Sequence, residues 1–345
     1  MMLLIGLLII AVGAFCQSSC YVPINKIKSW SWESYWIVQG VFAWLILPFL
    51  GALLAVPAGH SLCELFTSDQ SFNIWMTILF GALWGVGGLT FGLSMRYLGV
   101  ALGQSIALGT CAGLGTIMGP VLLNIFFPEN DPLSQLTFAV ILGVVVTLIG
   151  IAIIGVAGSM KASSLSEEET KAAVKDFNFP KGITIALLAG FMSGCFNVGL
   201  EFGSGINFGD LTPDIYKTLP ATFLVTLGGF VTNAIYCFYQ NHKNHTWSDY
   251  GKTGVLANNI IFCLLAGALW YSQFFGLALG KGFLTDYPTL MTLSFCILMA
   301  LNVVFSNVWG IILKEWKGCS SKTISVLIIG IVVLIVSCFL PQLIG

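Results

Sequence analysis

The acidic and basic residues of this chain are confined to short gaps between ten long apolar runs. Each run continues for at least 19 residues without Asp, Glu, Lys or Arg; the runs are 1–25, 34–63, 70–95, 97–128, 132–160, 182–200, 218–242, 253–280, 287–313 and 323–345. A helix rises about 1.5 Å per residue, so about 20 apolar residues cross a hydrocarbon core roughly 30 Å thick. The pattern predicts an all-α integral membrane protein with ten transmembrane helices.

The composition agrees with a lipid environment and excludes several classes of function. Charged residues make up 8% of the chain, against about 25% in a typical soluble domain. The net charge of −1 leaves no basic surface for nucleic acid. The chain carries no Gly-Lys-Ser/Thr phosphate loop, and no His or paired acid lies deep in a run. We therefore expect neither an ATP-driven pump nor an integral-membrane enzyme, and no catalytic residue, cofactor or metal site.

The distribution of Lys and Arg among the loops predicts how the helices are oriented. Twelve of the 14 basic residues lie in loops that follow odd-numbered runs, and the other two are Lys217 and Lys281. Positively charged loops stay in the cytoplasm. The first run lacks the positive charges that open a signal peptide, so we expect it to be kept as a helix. Both termini are then predicted to face outward.

A four-residue motif recurs in the third and eighth runs and indicates an internal repeat. Gly-Ala-Leu-Trp occupies 81–84 and again 267–270. If the chain divides into five helices plus five, these are the third helices of the two halves. Because five is odd, the second half enters the membrane from the opposite face. We predict two inverted five-helix repeats, 1–160 and 182–345, joined by a polar cytoplasmic linker at 161–181.

Four short motifs are more specific than composition and resemble one family. They are Lys-Ser-Trp-Ser-Trp-Glu at 28–33, Met-Arg-Tyr-Leu-Gly at 95–99, Leu-Trp-Tyr-Ser-Gln-Phe-Phe at 269–275 and Leu-Lys-Glu-Trp at 313–316. With the ten runs, they make the chain resemble the L-rhamnose/proton symporter family of the drug/metabolite transporter superfamily. The resemblance extends nearly end to end. It implies a multi-pass carrier of the bacterial inner (cytoplasmic) membrane that imports a deoxyhexose with a proton.

Two other transport functions remain open at this point. Glu201 and the stretch 302–307 depart from the family pattern, so the exact sugar and the coupling ion stay undecided. A sodium-coupled sugar carrier would share the same helices. An exporter of drugs or metabolites from the same superfamily would share them too, but would need a wide apolar cavity without amide groups.

The candidate sugar ligands are the polar and aromatic residues at membrane depth. A neutral sugar needs amides and hydroxyls for its hydroxyl groups, and aromatic faces for its apolar ring face. An intramembrane amide can instead serve only to bond a neighbouring helix. The candidates are Gln17, Trp84, Gln104, Asn197, Asn233, Trp270, Tyr271 and Gln273. Trp84 and Trp270 occupy equivalent places in the two halves, so we expect them to flank a central cavity.

Proton coupling needs an ionisable group within the membrane, where such groups are functional candidates by default. Glu201 is the candidate carboxylate, and Asn197 lies four residues before it on the same side of the helix. Glu33 and Arg96, at cytoplasmic helix ends, are expected to form an ion pair or a gate. The neighbouring indoles of Trp30, Trp32 and Trp36 are interpreted as an aromatic belt at the membrane surface.

Overall fold

The computed structural model describes residues 2–67, 70–98, 100–164, 178–314 and 316–344. Throughout these residues the regular structure is helical, with no strand. Ten helices occupy the ten apolar runs: α1 Met2–Ser18, α2 Trp32–Leu53, α3 Ser71–Leu98, α4 Val100–Phe126, α5 Phe138–Ser163, α6 Phe179–Phe202, α7 Leu219–Lys243, α8 Thr253–Gly282, α9 Pro288–Ile312 and α10 Ser321–Ser337. Of these described helices, nine are long and apolar enough to cross a membrane.

The helix in the tenth run is shorter than the sequence predicts. Helix α10 has 17 residues, which corresponds to about 26 Å. It ends at Ser337, and a separate short helix follows at Leu340–Ile344. Pro341 lies within this short helix, and because proline has no N–H it cannot donate to the carbonyl of Ser337, four residues before it, where α10 ends. Ten complete spans are therefore not confirmed.

The helices form two compact units. The first unit contains residues 1–85 and 202–285, with α1, α2, the start of α3, α7 and α8; the second contains residues 86–201 and 286–345. These units group helices by contact and do not follow the predicted division of the sequence into halves. Most of the predicted linker, residues 165–177, lies outside the described residues. The division at 161–181 stays a prediction.

Within the first unit, glycines bring helix backbones into direct contact. A Cβ on Gly13 of α1 would lie 2.7 Å from the carbonyl oxygen of Ser272 on α8. Gly81 of α3 lies against the backbone of Val225 on α7, and Gly228 of α7 lies against the backbone of α3. Lipid supplies no hydrophobic drive between helices, so close van der Waals packing of small residues takes its place.

Within the second unit, the same kind of packing joins different pairs of helices. Gly115 of α4 meets Gly194 of α6, where an added Cβ would lie 3.2 Å from the facing Cα. On α5, a Cβ at Gly150 would lie 2.6 Å from a methyl carbon of Leu334 on α10. The contact between Gly115 and Gly194 fixes α6 against α4, which positions the carboxylate and amide candidates of α6.

Candidate functional site

Helix α2 is interrupted at its centre by a π-helical turn, Val41–Ile46. The N–H of Leu47 donates to the carbonyl of Phe42, five residues back. Pro48 follows at once, and it cannot donate to the carbonyl four residues before it. Single π turns inside α-helices are frequent at functional sites. The turn places Trp44 in the interior, with 2% of its surface exposed.

Four tryptophans meet around this turn and are called the indole cluster here: Trp36, Trp44, Trp84 and Trp270. Trp44 is central, with ring centroids 5.6 Å from Trp36, 6.0 Å from Trp84 and 5.8 Å from Trp270. Trp84 and Trp270 also face each other, 5.6 Å apart at an interplanar angle of 35°. Gly229 of α7 makes the room for the Trp84 ring. The first unit thus gathers indoles from α2, α3 and α8.

Three polar atoms on α2 and α8 are buried without a hydrogen-bond partner among the described residues. They are Oε1 of Gln39, Nε1 of Trp44 and the hydroxyl of Tyr271. The Tyr271 hydroxyl lies against Gly51 of α2, and a Cβ on Gly267 of α8 would lie 3.1 Å from the Gln39 carbonyl oxygen. The Tyr271 hydroxyl therefore lies at the contact between α2 and α8, twelve residues along α2 from Gln39. Leaving such a group unpaired costs about 1–3 kcal/mol.

The structure brings two of the predicted ligands together and connects a third to them. Trp84 and Trp270 lie in the indole cluster, whereas Tyr271 follows Trp270 on α8 and places its hydroxyl against Gly51 of α2. Asn233 of α7 accepts a hydrogen bond from Trp36 Nε1 at 2.9 Å, and its own Nδ2 donates to the Gly229 carbonyl at 2.8 Å. Because both ends of this amide are engaged, Asn233 orients Trp36.

The other two candidates of the first unit lie on α1 and α8. Gln273 is buried where these helices cross, and a Cβ on Gly13 would lie 3.1 Å from its Cα. Gln17 is half-buried in the last turn of α1. Neither is placed by its described contacts in the indole cluster.

In the second unit, α6 presents Asn197 and Glu201 to α4, as their four-residue spacing predicts. The Asn197 Nδ2 donates to the Gly115 carbonyl at 2.9 Å, while its Oδ1 has no partner among the described residues. A Cβ on Gly119 would lie 2.7 Å from Cγ of the half-buried Glu201. Gln104 is half-buried near the start of α4, about 16 Å along the helix from Gly115.

The aromatic-belt interpretation is wrong for two of the three tryptophans near the start of α2. Trp30 is buried and donates from Nε1 to the Asp249 carbonyl at 2.8 Å. Trp36 belongs to the indole cluster. Trp32 is 40% exposed and stacks on Trp36 with centroids 5.4 Å apart. The indoles of Trp30 and Trp36 turn inward because each N–H finds an acceptor inside the first unit.

A buried polar network surrounds the start of α2, and sequence reasoning missed most of it. Its members, called the α2 polar network here, are the buried Glu33, Ser34, Asn241 and Asp249 together with the more exposed Asn244 and Thr246. Glu33 Oε1 accepts from Asn244 Nδ2 at 3.0 Å and from Thr246 Oγ1 at 2.9 Å. The Ser34 hydroxyl lies 2.9 Å from Asp249 Oδ2. The expected pairing of Glu33 with Arg96 is untested, because the Arg96 side chain lies outside the described residues.

Asp249 carries the carboxylate of this network that is held ionised by hydrogen bonds from Lys252, Ser31 and Ser34. Burial raises the pKa of its carboxyl, but hydrogen bonds from Lys252, Ser31 and Ser34 outweigh burial and lower the pKa to about 2. Lys252 Nζ lies 2.6 Å from Oδ1, and the Ser31 N–H donates to Oδ2 at 2.7 Å. The network therefore holds an ionised carboxylate inside the protein at neutral pH.

Comparison with known proteins identifies relatives over almost the whole chain. The family model described as L-rhamnose-proton symport protein (RhaT) matches residues 1–343. Proteins named L-rhamnose-proton symporter from Yersinia pestis (strain Pestoides F) and Yersinia pseudotuberculosis serotype O:1b (strain IP 31758) are similar to it. Each is 32% identical over 349 residues, which cover 97% of this chain and 96% of the relative.

Proposed function

The chain belongs to the L-rhamnose-proton symport protein family, and on this premise we propose that it imports L-rhamnose, or a closely related sugar, with protons. It is a multi-pass membrane protein of a bacterial symporter family, and a transporter rather than an enzyme. The proposed location is the inner membrane, and the proposed superfamily is that of the drug/metabolite transporters.

The observation that carries the proposal is the indole cluster, with buried unpaired polar groups on the same two helices, α2 and α8. L-Rhamnose is a deoxyhexose, so it presents a methyl group and an apolar ring face as well as hydroxyls. Indole faces such as those of Trp84 and Trp270 suit the apolar face, and the Tyr271 hydroxyl suits a sugar hydroxyl. These three residues are the proposed centre of the site. Gln17 and Gln273 are the proposed outer ligands in the first unit, and Asn233 acts through Trp36. Gln104 and Asn197 of the second unit are proposed as sugar ligands from the sequence alone.

We further propose that the two halves are inverted repeats and that transport proceeds by alternating access. The helix contacts support this. Gly81 opens the repeated motif of α3 and packs on α7, whereas Gly267 opens the same motif of α8 and packs on α2. Helix α3 corresponds to α8 and helix α7 to α2, because the members of each pair are five helices apart in the chain. Exchanging the corresponding helices converts one contact into the other. A pseudo-two-fold relation between halves has this property.

Loop contacts within the first unit support the proposed orientation. Lys28, between α1 and α2, donates its N–H to Asn259 Oδ1 near the start of α8, at 3.0 Å. At the other end, Thr212, between α6 and α7, donates to the carbonyl of Ala55, between α2 and α3, at 2.9 Å. Each contact joins ends assigned to the same side of the membrane. The side of the membrane whose loops are rich in Lys and Arg is proposed to be cytoplasmic, and both termini are proposed to lie outside.

Uptake by membrane vesicles tests the proposed function directly. Vesicles that contain the protein are expected to accumulate labelled L-rhamnose when an inward proton gradient is imposed, because proton entry drives the sugar inward. Collapsing the gradient with a protonophore should remove the accumulation, and vesicles without the protein are the control. Accumulation that follows an imposed Na⁺ gradient instead would establish sodium coupling and contradict the proton proposal.

Glu201 is the proposed proton-coupling residue, since it lies on α6 within a candidate span and beside Asn197. Glu201→Gln is expected to abolish gradient-driven accumulation while sugar exchange between preloaded vesicles and medium continues, because the amide cannot carry a proton. The matched control is Glu129→Gln, a substitution in an exposed loop. Full accumulation by the Glu201→Gln protein would remove Glu201 from the coupling mechanism.

A further inference from the structure

We propose that Trp32 of α2, together with Tyr236 and Gln240 of α7, forms a second sugar subsite, which the sugar occupies between the central indoles and the cytoplasm. This inference rests on the proposed function and deepens it by adding a position from which the sugar is released. Sequence analysis interpreted Trp32 as part of an aromatic belt and named neither Tyr236 nor Gln240.

The three side chains of this subsite are direct neighbours. The rings of Trp32 and Tyr236 meet edge to face, with centroids 6.3 Å apart and an interplanar angle of 74°. Gln240 Nε2 donates to the Tyr236 hydroxyl at 2.7 Å, which leaves the phenol proton and the amide oxygen to serve as a donor and an acceptor. Aromatic faces therefore lie beside hydrogen-bonding groups, the combination that a deoxyhexose needs.

A continuous series of ring contacts joins Trp32 to the centre of the proposed site. Trp32 lies about one helical turn before Trp36 and stacks on it, with centroids 5.4 Å apart at an interplanar angle of 20°. Trp36 meets Trp44 at 5.6 Å, and Trp44 contacts both Trp84 and Trp270. A sugar that moves along this series exchanges one aromatic face for the next.

Helix α7 presents Tyr236 and Gln240 on the same face that meets the indole cluster. Gly229 of this face makes room for the Trp84 ring, and Asn233 follows four residues later. Tyr236 and Gln240 continue the series at spacings of three and four residues, which keep side chains on one face of a helix. The subsite is thus an extension of the site along α7.

Helix α3 leaves this face uncovered toward the predicted cytoplasmic end. Gly81 and Gly85 of α3 pack against residues 225–232 of α7, and the first unit ends at Gly85. Tyr236 lies about one turn beyond that contact and is 38% exposed. Trp32 is 40% exposed, whereas Trp44 at the centre is 2% exposed. A belt residue needs only to meet lipid head groups, so the alignment with the site assigns Trp32 to the sugar.

The first test measures the KM for L-rhamnose from each side of the membrane, with the full-length protein. In everted vesicles, whose cytoplasmic face is outside, Trp32→Leu and Tyr236→Leu are each expected to raise KM about threefold to tenfold, through the loss of one aromatic contact. In right-side-out vesicles both should keep the wild-type KM. The matched control is Trp247→Leu, an exposed indole that contacts Phe238 on another face of α7. Thermal unfolding in detergent establishes that each variant is folded.

Thiol labelling separates a sugar contact from an aromatic belt. Trp32→Cys and the control Trp247→Cys are made in a protein whose less buried native thiols, Cys16, Cys63 and Cys319, are replaced by Ser. In everted vesicles a membrane-impermeant maleimide should label both introduced thiols, and saturating L-rhamnose should slow the labelling at position 32 alone. A thiol at position 32 that stays unlabelled, or that reacts equally fast with and without the sugar, would identify a lipid-facing belt and overturn the proposal.

The outcomes also separate this proposal from the proposed function. If both folded Leu variants keep the wild-type KM in everted vesicles, or change it only in right-side-out vesicles, the release subsite is overturned and rhamnose transport stands. A wild-type protein that transports no L-rhamnose in either kind of vesicle would overturn the proposed function, and the subsite with it.

Discussion

Gly81→Ala is expected to destabilise the protein by about 2–3 kcal/mol and to abolish transport, whereas Gly88→Ala on the same helix is expected to be tolerated. A Cβ at Gly81 would overlap the backbone of Val225 on α7, which cannot be relieved by rotating a side chain. At Gly88, which is exposed, an added Cβ would meet no atom within 4 Å. Both substitutions carry the same gain in helix propensity, so their difference isolates the contact.

The measurement is the unfolding midpoint of the two variants in detergent, combined with sugar uptake in vesicles. The loss at Gly81 should appear as a lower midpoint with no uptake, because the crossing of α3 and α7 also positions Trp84. Equal midpoints for Gly81→Ala and Gly88→Ala would show that the α3–α7 contact is looser than described.

Asp249→Asn is expected to lower the free energy of unfolding by about 2 kcal/mol at neutral pH. The carboxylate accepts hydrogen bonds from Ser31, Ser34 and Lys252, and an amide cannot replace its charge. Asp210→Asn, at an exposed position, is the matched control and should unfold like the wild type. If Asp249→Asn had the same unfolding midpoint as Asp210→Asn, the Asp249 carboxylate would not stabilise the first unit.

The same pair of variants tests the direction of the pH dependence. The pKa of Asp249 is about 2 in the folded protein, below the ordinary value of 3.8. Such a carboxylate stabilises the fold above the ordinary pKa, and the contribution is lost as pH falls from about 4 toward 2. The difference in midpoint between wild type and Asp249→Asn should therefore be constant from pH 8 to pH 5 and shrink below pH 4. A difference that grows on acidification would contradict this assignment.

The membrane helices could be predicted from sequence because hydropathy is a local property. Charges mark the ends of most spans, and α1 to α9 occupy their predicted runs. The tenth run has the same composition, yet its helix ends at Ser337, because Pro341 has no N–H to donate to the Ser337 carbonyl, and hydropathy does not record this effect. The inverted repeat stays a prediction with support from helix contacts.

The candidate site was predictable only where a repeat or a short spacing pointed to it. The recurring motif singled out Trp84 and Trp270, which the structure places in contact. Trp44 was missed, because a 3.6-residue period cannot show the π turn on which it lies. Asp249 was missed because its partner Ser34 lies 215 residues away along the chain.

Because the four indoles lie so near one another, their electronic transitions are coupled. Neighbouring chromophores at centroid distances of 5.6–6.0 Å exchange excitation, and the circular dichroism and fluorescence that result depend steeply on mutual angle and separation. Any step that moves α2 against α8 would alter these signals. The unlabelled polypeptide thus carries its own optical readout of any such movement, suited to stopped-flow recording after sugar is added.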